Sequence, residues 1–204
     1  MTPAIIPAAG KGTRMGGPKL TLPVSGTPLI TRVISALREG GASPVFVVVG
    51  PRSGPGAEAV IDEATRAGAD VVEADHDPAD MRASVVLGLE HLQARGWNLE
   101  GWLLTPGDLP GLTAEAVARV IRRGREAAFG SIVIPTRHGK RGHPVYFPGE
   151  IVAEIRSLSV GQGINTVVAR RADGVIELDL GDVAVDLDLD TPEDLASWTQ
   201  REEK

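Results

Sequence analysis

The densest chemistry in this chain lies at residues 7–19. In Pro7-Ala8-Ala9-Gly10-Lys11-Gly12-Thr13-Arg14-Met15-Gly16-Gly17-Pro18-Lys19, four glycines and three cations follow a short apolar run. Glycines let backbone N–H groups approach an anion closely, and clustered amides form a phosphate-binding concavity. Lys11, Arg14 and Lys19 add the positive charge that a triphosphate needs. Two familiar phosphate motifs fail on spacing. In a P-loop register, Ile5 would hold the first glycine position and Gly12 would follow Lys11 in place of Ser or Thr. In a dinucleotide fingerprint, Met15 stands where a third small residue belongs. An ordinary glycine-rich surface loop would share the composition.

Three further groups carry chemistry. Asp108 sits in the turn Pro106-Gly107-Asp108-Leu109-Pro110, directly after the apolar run 102–105. A carboxylate held at the end of a strand suits Mg²⁺, which takes one or two carboxylates together with substrate phosphates. The competing reading is a turn-forming Asp bonded to its own backbone. In Val185-Asp186-Leu187-Asp188-Leu189-Asp190, strand alternation would put the three acids on one face. Burying three like charges is costly, so that face meets water or a cation. Asp190, at the end of the run, is best placed for the latter; a solvated edge strand is the alternative. Finally, Arg137-His138-Gly139-Lys140-Arg141-Gly142-His143 is a cationic loop suited to a second, phosphorylated ligand, or simply an exposed basic hairpin. The other histidines show no metal-ligand spacing, Asp75 and Asp77 lie in a Pro-broken acidic loop, and no Gly-x-Ser-x-Gly elbow exists.

Alternating strand-like and helix-like segments must position these groups. Runs at 3–7, 45–49, 70–74, 102–105, 131–134 and 144–147 read as strands, with 185–190 as a further one. Segments 28–39, 57–67, 81–94 and 113–124 carry apolar residues at helical spacing, with Asp80 as a cap for the third. A last helix starts at Thr191-Pro192-Glu193-Asp194, where cap, N1 proline and first-turn acids coincide. This order predicts one Rossmann-like α/β domain, a three-layer α/β/α sandwich with a mostly parallel sheet. Ligands in such sheets bind where loops leave the carboxyl ends of the strands, which is where the motifs fall.

Composition narrows the function classes. A chain of 204 residues with 42% apolar and 24% charged residues is an ordinary globular domain that needs no metal or disulfide to fold. The absence of cysteine excludes disulfides, thiolate metal sites and a thiol nucleophile. A net charge of -6 argues against general nucleic-acid binding. Residues 1–7 have no basic region and run straight into a strand-like segment, so no signal peptide is expected; no apolar run approaches membrane-spanning length, and a cytoplasmic protein is expected.

Taken in order, the motifs resemble the molybdenum-cofactor nucleotidyltransferases, the MobA/MocA-like group of the NTP transferase superfamily. The opening Ala8-Ala9-Gly10-Lys11-Gly12-Thr13-Arg14-Met15 with Lys19 is shared with sugar-1-phosphate nucleotidyltransferases and the isoprenoid-pathway cytidylyltransferase. Gly107-Asp108-Leu109-Pro110, Arg141-Gly142-His143-Pro144-Val145 and Asp188-Leu189-Asp190-Thr191-Pro192-Glu193-Asp194-Leu195 are similar to the MocA side. The resemblance implies the nucleotidyltransferase fold of nucleotide-diphospho-sugar transferase type, with a nucleotide-binding half at about 1–112 and an acceptor-binding half at about 113–204. It implies that Ala8, Ala9, Gly10, Lys11, Gly12, Thr13 and Ser84 line the nucleotide, and that Arg14 and Lys19 hold the triphosphate. By the same resemblance Asp108 and Asp190 hold Mg²⁺, and Arg141 and His143 meet the acceptor. The implied reaction transfers CMP from CTP to the phosphate of molybdopterin, with a molybdoenzyme or chaperone as partner. Other readings are a sugar-phosphate or alcohol-phosphate acceptor, a GTP-using relative, and a non-catalytic nucleotide- or cofactor-binding module. Val160-Gly161-Gln162-Gly163-Ile164-Asn165 departs from the Gly-Asp-x-Gly-x-Arg pattern of the family on the acceptor side.

Overall fold

A computed structural model describes residues 1–10, 18–97, 99–128, 130–189, 191, 193–194 and 197–199. The chain runs through β1 (Thr2–Pro7), a small hairpin of β2 (Pro23–Val24) and β3 (Thr27–Pro28), α1 (Leu29–Glu39), β4 (Ala42–Val49), α2 (Ala57–Arg66), β5 (Asp70–Glu73) and α3 (Met81–Ala94). It continues through β6 (Gly101–Leu104), α4 (Ala114–Glu126), β7 (Ile132–Arg137), β8 (Lys140–Arg141), β9 (Val145–Pro148), α5 (Ile151–Ser157), α6 (Asn165–Arg170) and β10 (Val175–Asp179).

The main sheet has the order β10-β7-β9-β6-β1-β4-β5, with β8 paired to β7. Its centre is parallel: β1 lies between β4 and β6, and β5 extends that side. Strand β9 runs antiparallel to both neighbours, β6 and β7. The continuous apolar runs of β1 and β4 follow from burial on both faces. Ala4, Ile6, Val45, Val47, Val49 and Leu103 pack with α1, α2 and α4 on one side. Ile5, Phe46, Val48, Trp102 and Leu104 pack with α3, α5 and α6 on the other. The result is the α/β/α sandwich expected from the alternation. Helices α3 and α4 start where a side chain replaces the missing backbone acceptor: Asp80 Oδ1 accepts from the Ala83 amide at 2.7 Å, and Thr113 Oγ1 from the Ala116 amide at 3.2 Å.

The structure overturns one element. Residues 185–189 form no strand. The strand on that side is β10, ten residues earlier, pairing in parallel with β7 from Val175↔Ile132 to Asp179↔Thr136. Beyond Thr136 the chain of β7 turns back into β8, and among the described residues 185–189 pairs with no strand, so alternation does not express itself. Instead Asp186 is buried while Asp188 is exposed. Helices α5 and α6 are additional to the sequence reading; the former buries Ile151, Val152 and Ile155 as a single helical stripe. Among the described residues no helix is long and apolar enough to cross a membrane.

Candidate active site

Strands β1 and β6 are parallel neighbours with Ile5 opposite Leu104, so residues 8–10 and 105–108 leave the same edge of the sheet. Because β9 opposes β6, with Val145 across from Leu104, the residues that precede β9 begin at that edge too. Topology therefore gathers Ala8, Ala9 and Gly10, the turn at Asp108, and His143. Ala8 continues the β1 ladder by donating to the Val48 carbonyl at 2.7 Å, and Gly10 is exposed at the rim. Ser84 lies in the first turn of α3 and is buried.

The turn that carries Asp108 is clamped. A Cβ on Gly107 would fall 2.9 Å from Ile30 Cδ1 and 3.2 Å from Leu20 Cδ2, so glycine lets the turn approach α1 without displacing these side chains. Arg32 of α1 donates to the carbonyls of Val24 and Pro110, both at 3.3 Å. Lys19, in the 3₁₀ turn Lys19–Thr21, reaches the site and donates from Nζ to Asp108 Oδ2 at 2.6 Å. The two side chains are 11% and 18% exposed, so the pair is sheltered. Asp108 Oδ1 is buried and finds no hydrogen-bond partner among the described residues. Such an oxygen is costly unless a donor or a cation meets it, so Asp108 fits a hard divalent ion. No group of three or more His, Cys, Asp or Glu side chains able to hold a metal occurs among the described residues.

The segment 185–189 is fastened to the same place. The Leu189 amide donates to the Asp108 carbonyl at 3.2 Å, and the His143 amide donates to the Val185 carbonyl at 2.7 Å. His143 Nδ1 lies 3.3 Å from the Leu104 carbonyl. A donor at Nδ1 satisfies that carbonyl and leaves Nε2 as the acceptor of a neutral ring. Burial pushes the imidazole below its ordinary pKa, outweighing the Leu104 hydrogen bond and the carboxylates of Asp108 and Asp188, which act the other way.

The cationic loop is committed elsewhere. Arg137 bonds Asp186 through Nε at 2.5 Å and Nη2 at 3.2 Å, and Lys140 Nζ lies 3.2 Å from the same carboxylate. Arg141 donates to Glu177 at 2.8 Å, and His138 Nε2 is 3.1 Å from Asp182. Burial raises the Asp186 pKa, but the bonds from Arg137 and Lys140 prevail and the net shift is downward. Thus Lys19, Asp108 and His143 converge, whereas Arg141 engages β10. Lys11, Gly12, Thr13, Arg14 and Asp190 lie outside the described residues. Sequence reasoning missed the Arg137–Asp186 pair, because strand periodicity grouped Asp186 with Asp188 and Asp190. The signal available was the excess of cations at 137–141 facing an excess of acids at 177–190.

A family model for the MobA-like NTP transferase domain matches residues 4–175. The 2-C-methyl-D-erythritol 4-phosphate cytidylyltransferase of Ralstonia nicotianae is 34% identical over 142 residues, covering 65% of this chain and 55% of that enzyme. The chain spans about half or less of the length of the curated relatives it matches. Among solved structures, Rv0371c from Mycobacterium tuberculosis superposes with a TM-score of 0.81 at 25% identity, covering 98% of this chain and 99% of that one. The Rv0371c complex with manganese gives a TM-score of 0.77 at 25% identity, with 98% of each chain covered.

Proposed function

Because this chain belongs to the MobA-like NTP transferase family, we propose that its sheet edge transfers a nucleotidyl group from a nucleoside triphosphate to a phosphorylated acceptor. The observation that carries this reading is the sheltered Lys19–Asp108 pair, whose Asp108 Oδ1 is buried with no hydrogen-bond partner among the described residues, beside the segment that begins the glycine-rich loop. An acceptor phosphate oxygen attacks the α-phosphorus, a new P–O bond forms, the bond to the β-phosphate oxygen breaks, and pyrophosphate leaves. A phosphate nucleophile is already ionised at neutral pH, so alignment and charge neutralisation do the catalytic work. Lys19 and Arg14 hold the triphosphate and neutralise the leaving pyrophosphate. Ala8, Ala9, Gly10, Lys11, Gly12, Thr13 and Ser84 form the nucleotide side, within 1–112. His143 and Arg141 serve the acceptor side, within 113–204. Asp108 and Asp190 would hold a divalent ion, which when bound supplies Lewis-acid polarisation of phosphate oxygens. Mg²⁺ is the choice we favour; the manganese in the Rv0371c complex supports a divalent ion in this fold.

CTP is the favoured donor and molybdopterin the favoured acceptor, with a cytoplasmic molybdoenzyme or chaperone receiving the product. The Ralstonia relative, named for an alcohol phosphate, supports the CTP assignment and makes an alcohol-phosphate acceptor the second reading. The test offers CTP, GTP, UTP and ATP, each with and without Mg²⁺, and reads thermal stabilisation and acceptor-dependent pyrophosphate release. A ligand at one hundred times its Kd stabilises by about 2.7 kcal/mol, well within reach of the melting assay. A Mg²⁺-dependent shift with CTP, followed by pyrophosphate release with molybdopterin, is expected. Binding without turnover on any phosphorylated acceptor would mark a non-catalytic module, and no shift with any nucleotide would overturn the proposal.

A further inference from the structure

The Asp186 side chain is 1% exposed, yet it is charged and receives three hydrogen-bonding contacts, two from Arg137 and one from Lys140. A buried ion pair is a poor way to gain stability, because desolvation offsets most of its attraction; its best-attested use is to fix register. The register at issue here is that of residues 180–189, which belong to no strand or helix. This segment is held at its start by the Leu180 amide on the Thr136 carbonyl at 2.9 Å, and at its end by the Leu189 amide on the Asp108 carbonyl at 3.2 Å. Between them, the Val185 carbonyl takes the His143 amide, an approach possible because residue 142 is glycine: a Cβ there would meet Val185 O at 2.2 Å. Asp186 follows directly and ties the segment to both arms of the β7–β8 hairpin.

We propose that the Arg137–Asp186 pair, reinforced by Lys140, is a positioning latch that sets the 185–189 segment against the Asp108 turn and thereby tunes divalent-cation affinity at that turn. The latch touches no reacting group; it acts through the backbone that joins Val185 to His143 and Leu189 to Asp108. It follows that Arg137 and Lys140 are structural partners of this segment rather than a free phosphate trap. This inference rests on the reading of Asp108 as a cation ligand.

The test measures Mn²⁺ affinity by electron paramagnetic resonance, in the presence of nucleotide, for the wild type, Asp186→Asn, the paired replacement Arg137→Met with Asp186→Leu, and Asp108→Asn. Melting temperature is recorded for each. The paired replacement removes the Arg137 and Asp186 charges together and leaves only the exposed Lys140, so it tests position separately from stability. The expected result is a loss of about 10–100-fold in Mn²⁺ affinity for Asp186→Asn and for the paired replacement, the size typical of groups that orient metal ligands. The paired variant should melt near the wild-type temperature. Wild-type Mn²⁺ affinity in the paired variant, with affinity lost in Asp108→Asn, would sink the latch and leave the cation site standing. Wild-type affinity in Asp108→Asn would remove the cation site and the latch together.

Discussion

In the proposed reaction, Asp108 is the residue that carries most of the chemistry. One carboxylate oxygen is bonded to Lys19 and the other is buried with no hydrogen-bond partner among the described residues. Replacing it by Asn keeps the shape and an acceptor for Lys19 while removing the charge. Asp108→Asn should therefore lower kcat by about 10²–10³-fold, the cost of losing one preorganised electrostatic group. Steady-state pyrophosphate release checks this, with a denaturation curve to separate loss of turnover from the stability lost when the sheltered Lys19 keeps its charge without its carboxylate. Lys19 illustrates why a residue's type does not reveal its partners. A lysine in a glycine-rich loop reads as a phosphate ligand, yet a folded neighbour 89 positions away shares it.

At the scale of elements, the site depends on helices and turns that begin at one edge of the sheet. Helix α3 starts at Asp80, whose carboxylate accepts from the Ala83 amide, and its first turn contains Ser84. Asp80→Ala should destabilise the protein by about 1 kcal/mol, the usual value of an N-cap, as read by urea denaturation. Nucleotide affinity should weaken with it if the first turn of α3 borders the base. Thr191 and Asp194 make the reciprocal capping contacts that their spacing predicts: the Thr191 hydroxyl accepts from the Asp194 amide at 3.2 Å, while Asp194 accepts from the Thr191 amide at 2.8 Å. Caps of this kind are local, need only residues a few positions apart, and were legible for that reason. Strand β10 was not. Its residues alternate only loosely in burial, and what makes it a strand is the open edge of β7.

For the whole molecule, His143 couples the site to acid stability. Its ring is held neutral by burial, so its folded pKa lies below the ordinary value of 6.5. The folded state then binds fewer protons than the unfolded one as pH falls through that range, and the histidine's contribution to stability is present above about pH 6.5 and lost below it. Wild type should lose more stability than His143→Asn between about pH 7.5 and pH 5.5, measured by chemical denaturation at each pH. Equal losses in both proteins would place the ring in a solvated setting. The carboxylates of Asp186 and Glu154 have lowered pKa values and add their own losses only at more acid pH, outside that window.

The division between sequence and tertiary structure follows from the range of the interactions involved. Apolar periodicity and capping act within a few residues, so the central strands β1, β4 and β6, the helices α1 to α4, and the sandwich they form could be read from the chain alone. So could the position of Asp108 at the end of a strand, because a carboxylate in a Pro-bounded turn after an apolar strand is placed by local chemistry. Pairings across the chain were decided only by the fold. Lys19 with Asp108, Arg137 and Lys140 with Asp186, and Arg141 with Glu177 join residues 36 to 89 positions apart. Charge pairing has no period, and a run such as Val185–Leu189 becomes a strand only if the fold leaves an edge beside it. Here β7 turns away into β8, and the same alternating acids become one buried anchor and one exposed charge.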